Sequence, residues 1–432
     1  MQIARDVYME KLKKSIGNGM VKVITGPRRC GKSYLLFTIF RNYLKQSGVK
    51  DDHIIELKLD DTRNVSYRSP LRFAEYFRNK RKEDGSKYFF LIDEVQYVLP
   101  SKNPDIPDQE ITFYDALNEF LHYGDTEVFV TGSNSRLLSS DIATEFRGRG
   151  WQIDMHPLTF SEFLEAKNER SNLLALWDEY WHFGGLPDAV LAPDEEAKIA
   201  YLRSTFNVIY LRDIIDRYHL RKDTAIGDVV KVLASFVGSP MSFNKIASTF
   251  QSAEKASISP ATVKLYVGYM EDAFLVSRAE PYTIKGRKFI GAPAKYYFDD
   301  LGIRYAATGF KGSDQEPHYM ENIIYNELIS RGYLVSTGKL NVNERSSGKQ
   351  ENRQYEIDFV CEKGGERIYI QSAFYIPDAD KMAQEKRPLL QVKDSFQKVL
   401  ISKYFSGTMF DNDGILQVGL FDFLTKPELL SR

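Results

Sequence analysis

Two glycines, a lysine and a hydroxyl stand at fixed spacing in Gly26-Pro27-Arg28-Arg29-Cys30-Gly31-Lys32-Ser33. A loop of this pattern turns its backbone N–H groups onto phosphate oxygens, sends the lysine to the β- and γ-phosphates and sets the hydroxyl on Mg²⁺. Glycine belongs where a side chain would block that approach. A second group follows in KYFFLIDEVQ, where the apolar run Tyr88 to Ile92 ends in Asp93-Glu94. An aspartate there is suited to hold Mg²⁺ through water, and the adjacent glutamate to polarise the attacking water. A third stretch, EVFVTGSNS, ends in Thr131, Ser133 and Asn134. Asn134 is the candidate to sense the γ-phosphate, although Gly-Ser-Asn is equally good turn chemistry. In EFRGRGWQIDMHPL, Arg147 and Arg149 flank Gly148. An arginine offered to a neighbouring subunit stabilises transition-state charge, and Arg149 is the preferred one; the plainer reading is a solvated pair in a loop.

Such residues need a scaffold that brings loops to one edge. Val21 to Thr25 is apolar and β-branched enough for a buried strand, and Tyr34 to Leu44 suits a helix. Strands near 21–25, 53–60, 88–93, 127–132 and 151–156, with helices between, predict a parallel α/β sheet with its site at the carboxyl ends of the strands. At 432 residues the chain is too long for one ordinary core. Its composition, 43% hydrophobic and 27% charged with a net charge of -1, is that of a folded protein and excludes a general excess of basic surface. Two cysteines, Cys30 and Cys361, exclude a disulfide framework and suit a reducing compartment. No signal-peptide core and no run of 18 apolar residues is present, so a cytoplasmic protein that spans no membrane is expected. The six histidines show no metal-binding spacing.

Taken together, ITGPRRCGKS, FLIDEVQ, VTGSNSRLL, FRGRGWQIDMHPLTFSEF, FGGLPDAV, LRDIIDRYHLR, YEIDFVCEKGGERIYIQSAF and RPLLQVKDSFQKVLIS resemble, in order, a widespread group of bacterial and archaeal AAA-type ATPases with a C-terminal domain of unknown function. The resemblance covers nearly the whole chain. It implies ATP and Mg²⁺ as cofactors, with Gly26 to Tyr34 around the nucleotide, Ser33 and Asp93 on the metal, and Lys32, Glu94, Asn134, Arg147 and Arg149 as the catalytic set. In related signal-transducing ATPases a G-x-P in the helical lid places proline against adenine. Gly185 and Pro187 match that pattern, although Gly-Gly-Leu-Pro also reads as a helix end and turn.

The expected division is a P-loop domain over 1–157, a helical lid over 158–227, a winged helix over 228–312 and a nuclease-like domain over 313–432. Trp177, Tyr180, Trp181 and Tyr210 in the lid are expected in its core. Short helices precede SPATVKLYVGYMEDAFLV, which opens with a Ser cap and Pro at the first helical position, and a hairpin follows. Lys264 on that helix and Lys285, Arg287 and Lys288 at the hairpin tip suit double-stranded DNA, while Glu271-Asp272 oppose it, so packing or a protein partner competes as a reading. The last third resembles the PD-(D/E)XK nuclease superfamily: a helix with Glu321, a polar segment NVNERSSGKQENRQ read as a loop, then a hairpin with Glu356 and Asp358. Where that pattern needs E-x-K the chain has Gln371-Ser372-Ala373, and Lys381 lies on the next segment. Alanine cannot orient water or offset developing charge, so a nuclease-like fold without nuclease activity is expected. The leading expectation is a Mg²⁺-dependent ATPase, working as a homo-oligomer if an arginine finger is used. Its rivals are a nucleotide-gated scaffold that docks an unidentified protein and, less favoured, an ATP-powered nuclease.

Overall fold

The computed structural model describes residues 3–133, 146, 148–220, 223–254, 258–283, 292–311, 315–346 and 349–430. The chain divides into two compact units, one of Met1–His156 with Asp272–Phe274, the other of Pro157–Glu271 with Leu275–Arg432.

The first unit is built on five parallel strands: β1 (Val21–Thr25), β2 (Ile54–Lys58), β3 (Tyr88–Asp93), β4 (Thr126–Thr131) and β5 (Gly150–Asp154). Their order in the sheet is β2-β3-β4-β1-β5. Alternate side chains of the central strands feed separate cores. Tyr88, Phe90 and Ile92 of β3 join Val128 and Val130 of β4 on one face. Phe89 and Leu91 join Phe129 and the helix residues Leu35, Leu36 and Phe40 on the other. A parallel sheet covered on both faces explains why these strands read as nearly continuous apolar runs. The chain passes from β1 to β2 across β4 and β3, so the loops after β1, β3 and β4 come out side by side at the carboxyl edge.

Chain from Lys32 to Gln46 is helical throughout, α over Lys32–Tyr34, π over Leu35–Phe40 and α again over Arg41–Gln46.

The second unit begins with helices, among them Phe160–Lys167, Leu173–Phe183 and Glu195–Ser204. Trp177, Tyr180, Trp181 and Tyr210 are buried here. Helices Asp223–Ser235, Phe243–Glu254 and Pro260–Asp272 follow, the last capped where the Ser259 hydroxyl accepts the Thr262 N–H at 3.1 Å. Strands β6 (Val276–Ala279), β7 (Pro281–Thr283) and β8 (Lys295–Phe298) come next, and β6 pairs antiparallel with β8. The long helix Glu316–Ser330 precedes β9 (Leu334–Ser346), β10 (Lys349–Lys363), β11 (Glu366–Ala373), β12 (Gln397–Ser402), β13 (Thr408–Phe410) and β14 (Leu416–Gly419). With β7 these form one mixed sheet in the order β13-β14-β12-β11-β10-β9-β7. The segment expected as a polar loop is instead part of a β-ribbon, with Val342 opposite Arg353 and Ser346 opposite Lys349. A ribbon polar on both faces carries no period-2 hydrophobic signal, which is why the sequence reads as loop.

Candidate functional site

The loop after β1 is shaped by contact with the chain entering from β5. Gly26 has φ of +137°, and a Cβ there would lie 1.9 Å from the Met155 carbonyl oxygen, so only glycine fits. Arg29 and Gly31 also take positive φ, 66° and 100°. Lys32 is 5% exposed, and its ammonium donates to the carbonyls of Gly26 (2.8 Å) and Pro27 (2.7 Å). The lysine therefore closes the loop on itself with backbone acceptors that a phosphate oxygen can replace. Cys30 is buried in the helix-side core, its Sγ 3.8 Å from the Met155 carbonyl oxygen, a packing role. Pro27 is buried and Arg28 half-buried, while Arg29 and Tyr34 face solvent.

The ends of β3 and β4 meet this loop. The Ser33 hydroxyl donates to Asp93 Oδ1 at 3.0 Å, and the Thr131 hydroxyl bonds the same oxygen. Thr131 also accepts the Glu94 N–H at 3.0 Å. Burial pushes the Asp93 carboxyl above its ordinary pKa, Glu94 adds to this, and the Thr131 and Ser33 hydroxyls oppose it. Hydroxyl and carboxylate oxygens converging in this way form the hard-oxygen donor set that Mg²⁺ takes. Glu94 has left-handed φ and ψ, 52° each. Its carboxylate accepts from Gln96 Nε2 and from the Ser133 hydroxyl (3.2 Å), and Gln96 also donates to Ser133 at 3.2 Å.

Ser33, Asp93, Glu94, Thr131 and Ser133 are thus brought together around Lys32. Asn134 and Arg147 lie outside the described residues. Arg149 is at the other end of the sheet: its carbonyl accepts the N–H of Val21, the first residue of β1, at 2.9 Å. It lines an open cleft of about 490 Å³ with Asp115, Asn118, Glu119, His122 and Phe146. Gly185 and Pro187 belong to the second unit. There the Gly185 N–H donates to Asp300 Oδ2 (2.8 Å) and its carbonyl accepts the Leu158 N–H (2.7 Å), while a Cβ would lie 2.2 Å from the Leu158 carbonyl oxygen. Pro187 opens the short helix Pro187–Val190. Lys264 is exposed on its helix, and Lys285, Arg287 and Lys288 lie outside the described residues.

A second polar group sits in the other unit. Asp358 accepts the Ser372 N–H at 2.9 Å, and Glu321 accepts the Tyr297 hydroxyl at 2.7 Å. Between them stands Lys295, from β8, 3.0 Å from Glu321, 2.8 Å from Glu356 and 3.6 Å from Asp358. Burial works against its ammonium, yet Glu321, Asp358 and Glu356 together hold its pKa above the ordinary lysine value. Burial, with Glu321 adding to it, pushes Asp358 up to about 7 against the pull of Lys295. Lys381 pairs with Glu385 at 2.6 Å on its own helix and with none of these acids in any described contact.

Two residues escaped the reading of the sequence. Gln96 carries no signal beyond its place two residues after Glu94. Lys295 had one, a single cation in the otherwise apolar KYYF of a buried strand. Among the described residues no helix is long and apolar enough to cross a membrane.

The described geometry can be set against known proteins. Residues 18–164 match a family model described as an AAA domain, and residues 174–314 match one described as a domain of unknown function (DUF8612). An uncharacterized protein of Haemophilus influenzae is 34% identical over 426 residues, covering 98% of this chain and 98% of its own. An uncharacterized protein of Methanocaldococcus jannaschii is 28% identical over 406 residues, covering 91% of this chain and 82% of its own. Among solved structures, the Aeropyrum pernix Orc1 protein in complex with DNA aligns at 12% identity and a TM-score of 0.34, covering 72% of this chain and 93% of that one. Cdc6p of Pyrobaculum aerophilum aligns at 10% identity and a TM-score of 0.29, covering 72% and 94%.

Proposed function

This chain belongs to one family with the Haemophilus influenzae protein and carries an AAA domain, and on that premise we propose that it binds ATP with Mg²⁺ and hydrolyses it. One observation carries the reading. The Ser33 hydroxyl, the Asp93 carboxylate and the Glu94 carboxylate stand together beside the Lys32 loop, at the carboxyl edge of a parallel sheet. In this reading the N–H groups of Gly26 to Ser33 bind the phosphates and Lys32 exchanges its carbonyl acceptors for β- and γ-phosphate oxygens. Ser33 and Asp93 would hold Mg²⁺, which supplies positive charge to the phosphate oxygens as the terminal bond breaks. Glu94 accepts the proton of the attacking water as the water oxygen bonds the γ-phosphorus and the bond to the departing ADP breaks, and Thr131 fixes the turn that aims it. Asn134 as sensor and Arg147 or Arg149 as finger in a homo-oligomer complete the proposed site. The expected result is that Glu94→Gln binds ATP as the wild type does and turns it over at least a hundredfold more slowly, in a steady-state hydrolysis assay with Lys32→Ala as blank. Equal turnover of Glu94→Gln and wild type would sink the reading.

A second reading has its own support. Glu94 is held by Gln96 and Ser133, an arrangement that suits a nucleotide-gated scaffold with slow turnover, docking a protein through the later domains. The three helices Asp223–Ser235, Phe243–Glu254 and Pro260–Asp272 followed by the β6·β8 pair support a winged helix over 228–312, and the helix and strands carrying Glu321, Glu356 and Asp358 support a nuclease-like domain over 313–432 without nuclease activity. Double-stranded DNA added to the same assay separates the readings. Turnover raised severalfold favours an ATPase coupled to DNA, and turnover indifferent to DNA favours the scaffold.

A further inference from the structure

We propose that β13, the outer strand of the mixed sheet, is a docking edge for a second copy of this chain, which pairs with it antiparallel about Met409 and carries the sheet across the contact. The observations belong to the second unit and do not depend on the nucleotide site. Among the described residues β13 pairs with β14 alone and ends the sheet. The Gly407 carbonyl accepts the Gly419 N–H at 2.9 Å, and the Asp411 N–H donates to the Ile415 carbonyl at 3.0 Å. Hydrogen-bonded positions alternate in an antiparallel pair, so Gly407, Met409 and Asp411 face β14 while Thr408 and Phe410 turn both backbone groups outward. The apolar layer also runs past this edge. Val399 of β12, Leu416 of β14 and Phe410 stand in one cross-strand row; the first two are buried and Phe410 is 62% exposed. Met409, on the opposite face, is 52% exposed.

The composition of the edge says what covers it. Brevity is the one protection it has, because the lysine, proline or bulge that ordinarily keeps an edge from pairing is missing from Thr408-Met409-Phe410 and its unbroken register with β14. No residue from Tyr404 to Phe410 is charged, in a chain that is 27% charged. Pairing of this strand with itself about Met409 sets Thr408 of each copy opposite Phe410 of the other. Outward-facing residues then oppose one another, and each exchanges both of its free backbone bonds. Met409 meets Met409 in a non-hydrogen-bonded pair, where side chains approach most closely, and the two Phe410 rings become diagonal neighbours on one face. The first acid beyond the strand, Asp411, falls opposite Gly407, so no like charges are set against each other. Backbone, apolar side chains and charge are all satisfied by the same strand reversed. The contact is short, so the dimer it forms is reversible and not obligate.

The test is self-association of the full-length chain in nucleotide-free buffer, read by sedimentation velocity from about 1 to 100 μM for wild type, Thr408→Pro and Phe410→Lys. Any association through the Arg149 face is common to all three. Proline at 408 removes an N–H that β14 does not use, so it spares the single chain and blocks the ladder between two. Alongside, Met409→Cys and Asn412→Cys are treated with oxidised glutathione. In the Met409 register the two introduced thiols stand about 4.5 Å apart at Cα, within disulfide reach, whereas Asn412 is equally exposed but lies beyond the strand. Cys30 and Cys361 are buried and offer no competing thiol. The expected result is a wild-type dimer that both edge variants weaken by about tenfold or more, and a covalent dimer from Met409→Cys well in excess of that from Asn412→Cys. The proposal is overturned if wild type stays a single chain throughout, or if both edge variants associate as wild type does. It is overturned equally, whatever the fate of those variants, if Met409→Cys yields no more covalent dimer than Asn412→Cys.

Discussion

Glu94 holds a backbone conformation that an L-residue adopts at a cost of about 1–2 kcal/mol, and its N–H bond to Thr131 is what the turn gains in return. The turn directs the carboxylate to Gln96 and Ser133, which both donate to Oε2; Oε1 is left for a water, and a rotation of the carboxylate toward an attacking water breaks at least one of those bonds. Each such bond is worth about 1 kcal/mol, which in a barrier is a severalfold change in rate. Gln96→Ala is therefore expected to raise steady-state ATP turnover severalfold, with the affinity for ATP unchanged; turnover equal to or below wild type would show that Gln96 positions Glu94 for catalysis instead of restraining it. The grouping of Ser33, Asp93 and Glu94 beside the Lys32 loop was legible in the sequence because their types and spacing follow a pattern that phosphate and metal chemistry would require. Gln96 and Lys295 were not. Their partners are chosen by a backbone turn in one case and by the meeting of β8 with β10 in the other; the turn leaves no local pattern, and the strand leaves only a lone cation in the apolar KYYF, which names no partner.

At the scale of elements, what could be read was what packing enforces. The central strands β1, β3 and β4 of the first sheet are buried on both faces and announce themselves as apolar runs, whereas the ribbon of β9 and β10 has polar ends on both faces and reads as loop. The hairpin of β10 and β11 was legible because Gly364 and Gly365, both at positive φ, mark its turn. The junction after β8 is different in kind, since its Asp299-Asp300 pair looks in sequence like an ordinary surface turn. Burial pushes Asp299 up to about 7, with Asp300 adding to it and the Ser277 hydroxyl, 2.6 Å away, opposing. Burial also pushes Asp300 up to about 6, although it accepts the N–H groups of Gly185 and Ile303. In the unfolded chain such carboxyls titrate near 3.9, so between about pH 4 and pH 7 the folded state binds more protons than the unfolded one. Stability must then fall as pH rises through that window. Asp299→Asn, which keeps an oxygen for Ser277, removes the Asp299 share of the loss. Its midpoint of thermal unfolding is expected to exceed that of wild type at pH 8, by a margin that closes below pH 5. A constant margin across that range would mean that Asp299 keeps its ordinary carboxyl pKa in the folded protein.

For the whole molecule, the sheet itself bears on how many chains make one active site. The phosphate loop follows the carboxyl end of β1, while Arg149 precedes β5 and bonds the amino end of β1. Five residues of strand separate those ends by about 17 Å. An arginine side chain cannot cover that span along a strand, so an Arg149 that serves a γ-phosphate serves that of another chain. Its setting suits the part, since it is exposed beside a cleft that also presents Asp115 and Glu119, groups able to pair with basic residues of a neighbour. The consequence is complementation between two dead chains. Arg149→Ala retains an intact loop but offers no finger, and Lys32→Ala retains the finger but cannot hold phosphates. Each alone is expected to lose at least a hundredfold in ATP turnover, in line with what a finger contributes. Mixed in equal amounts and allowed to exchange, they should recover a substantial fraction of wild-type turnover, because some interfaces then join an intact loop to an intact Arg149. Recovery also has to disappear on dilution below the concentration at which chains associate. If Arg149→Ala alone turns over ATP like wild type, Arg149 is a solvated loop residue. If both variants are dead and the mixture stays dead while the chains demonstrably exchange, Arg149 acts through the fold of its own unit and not across an interface.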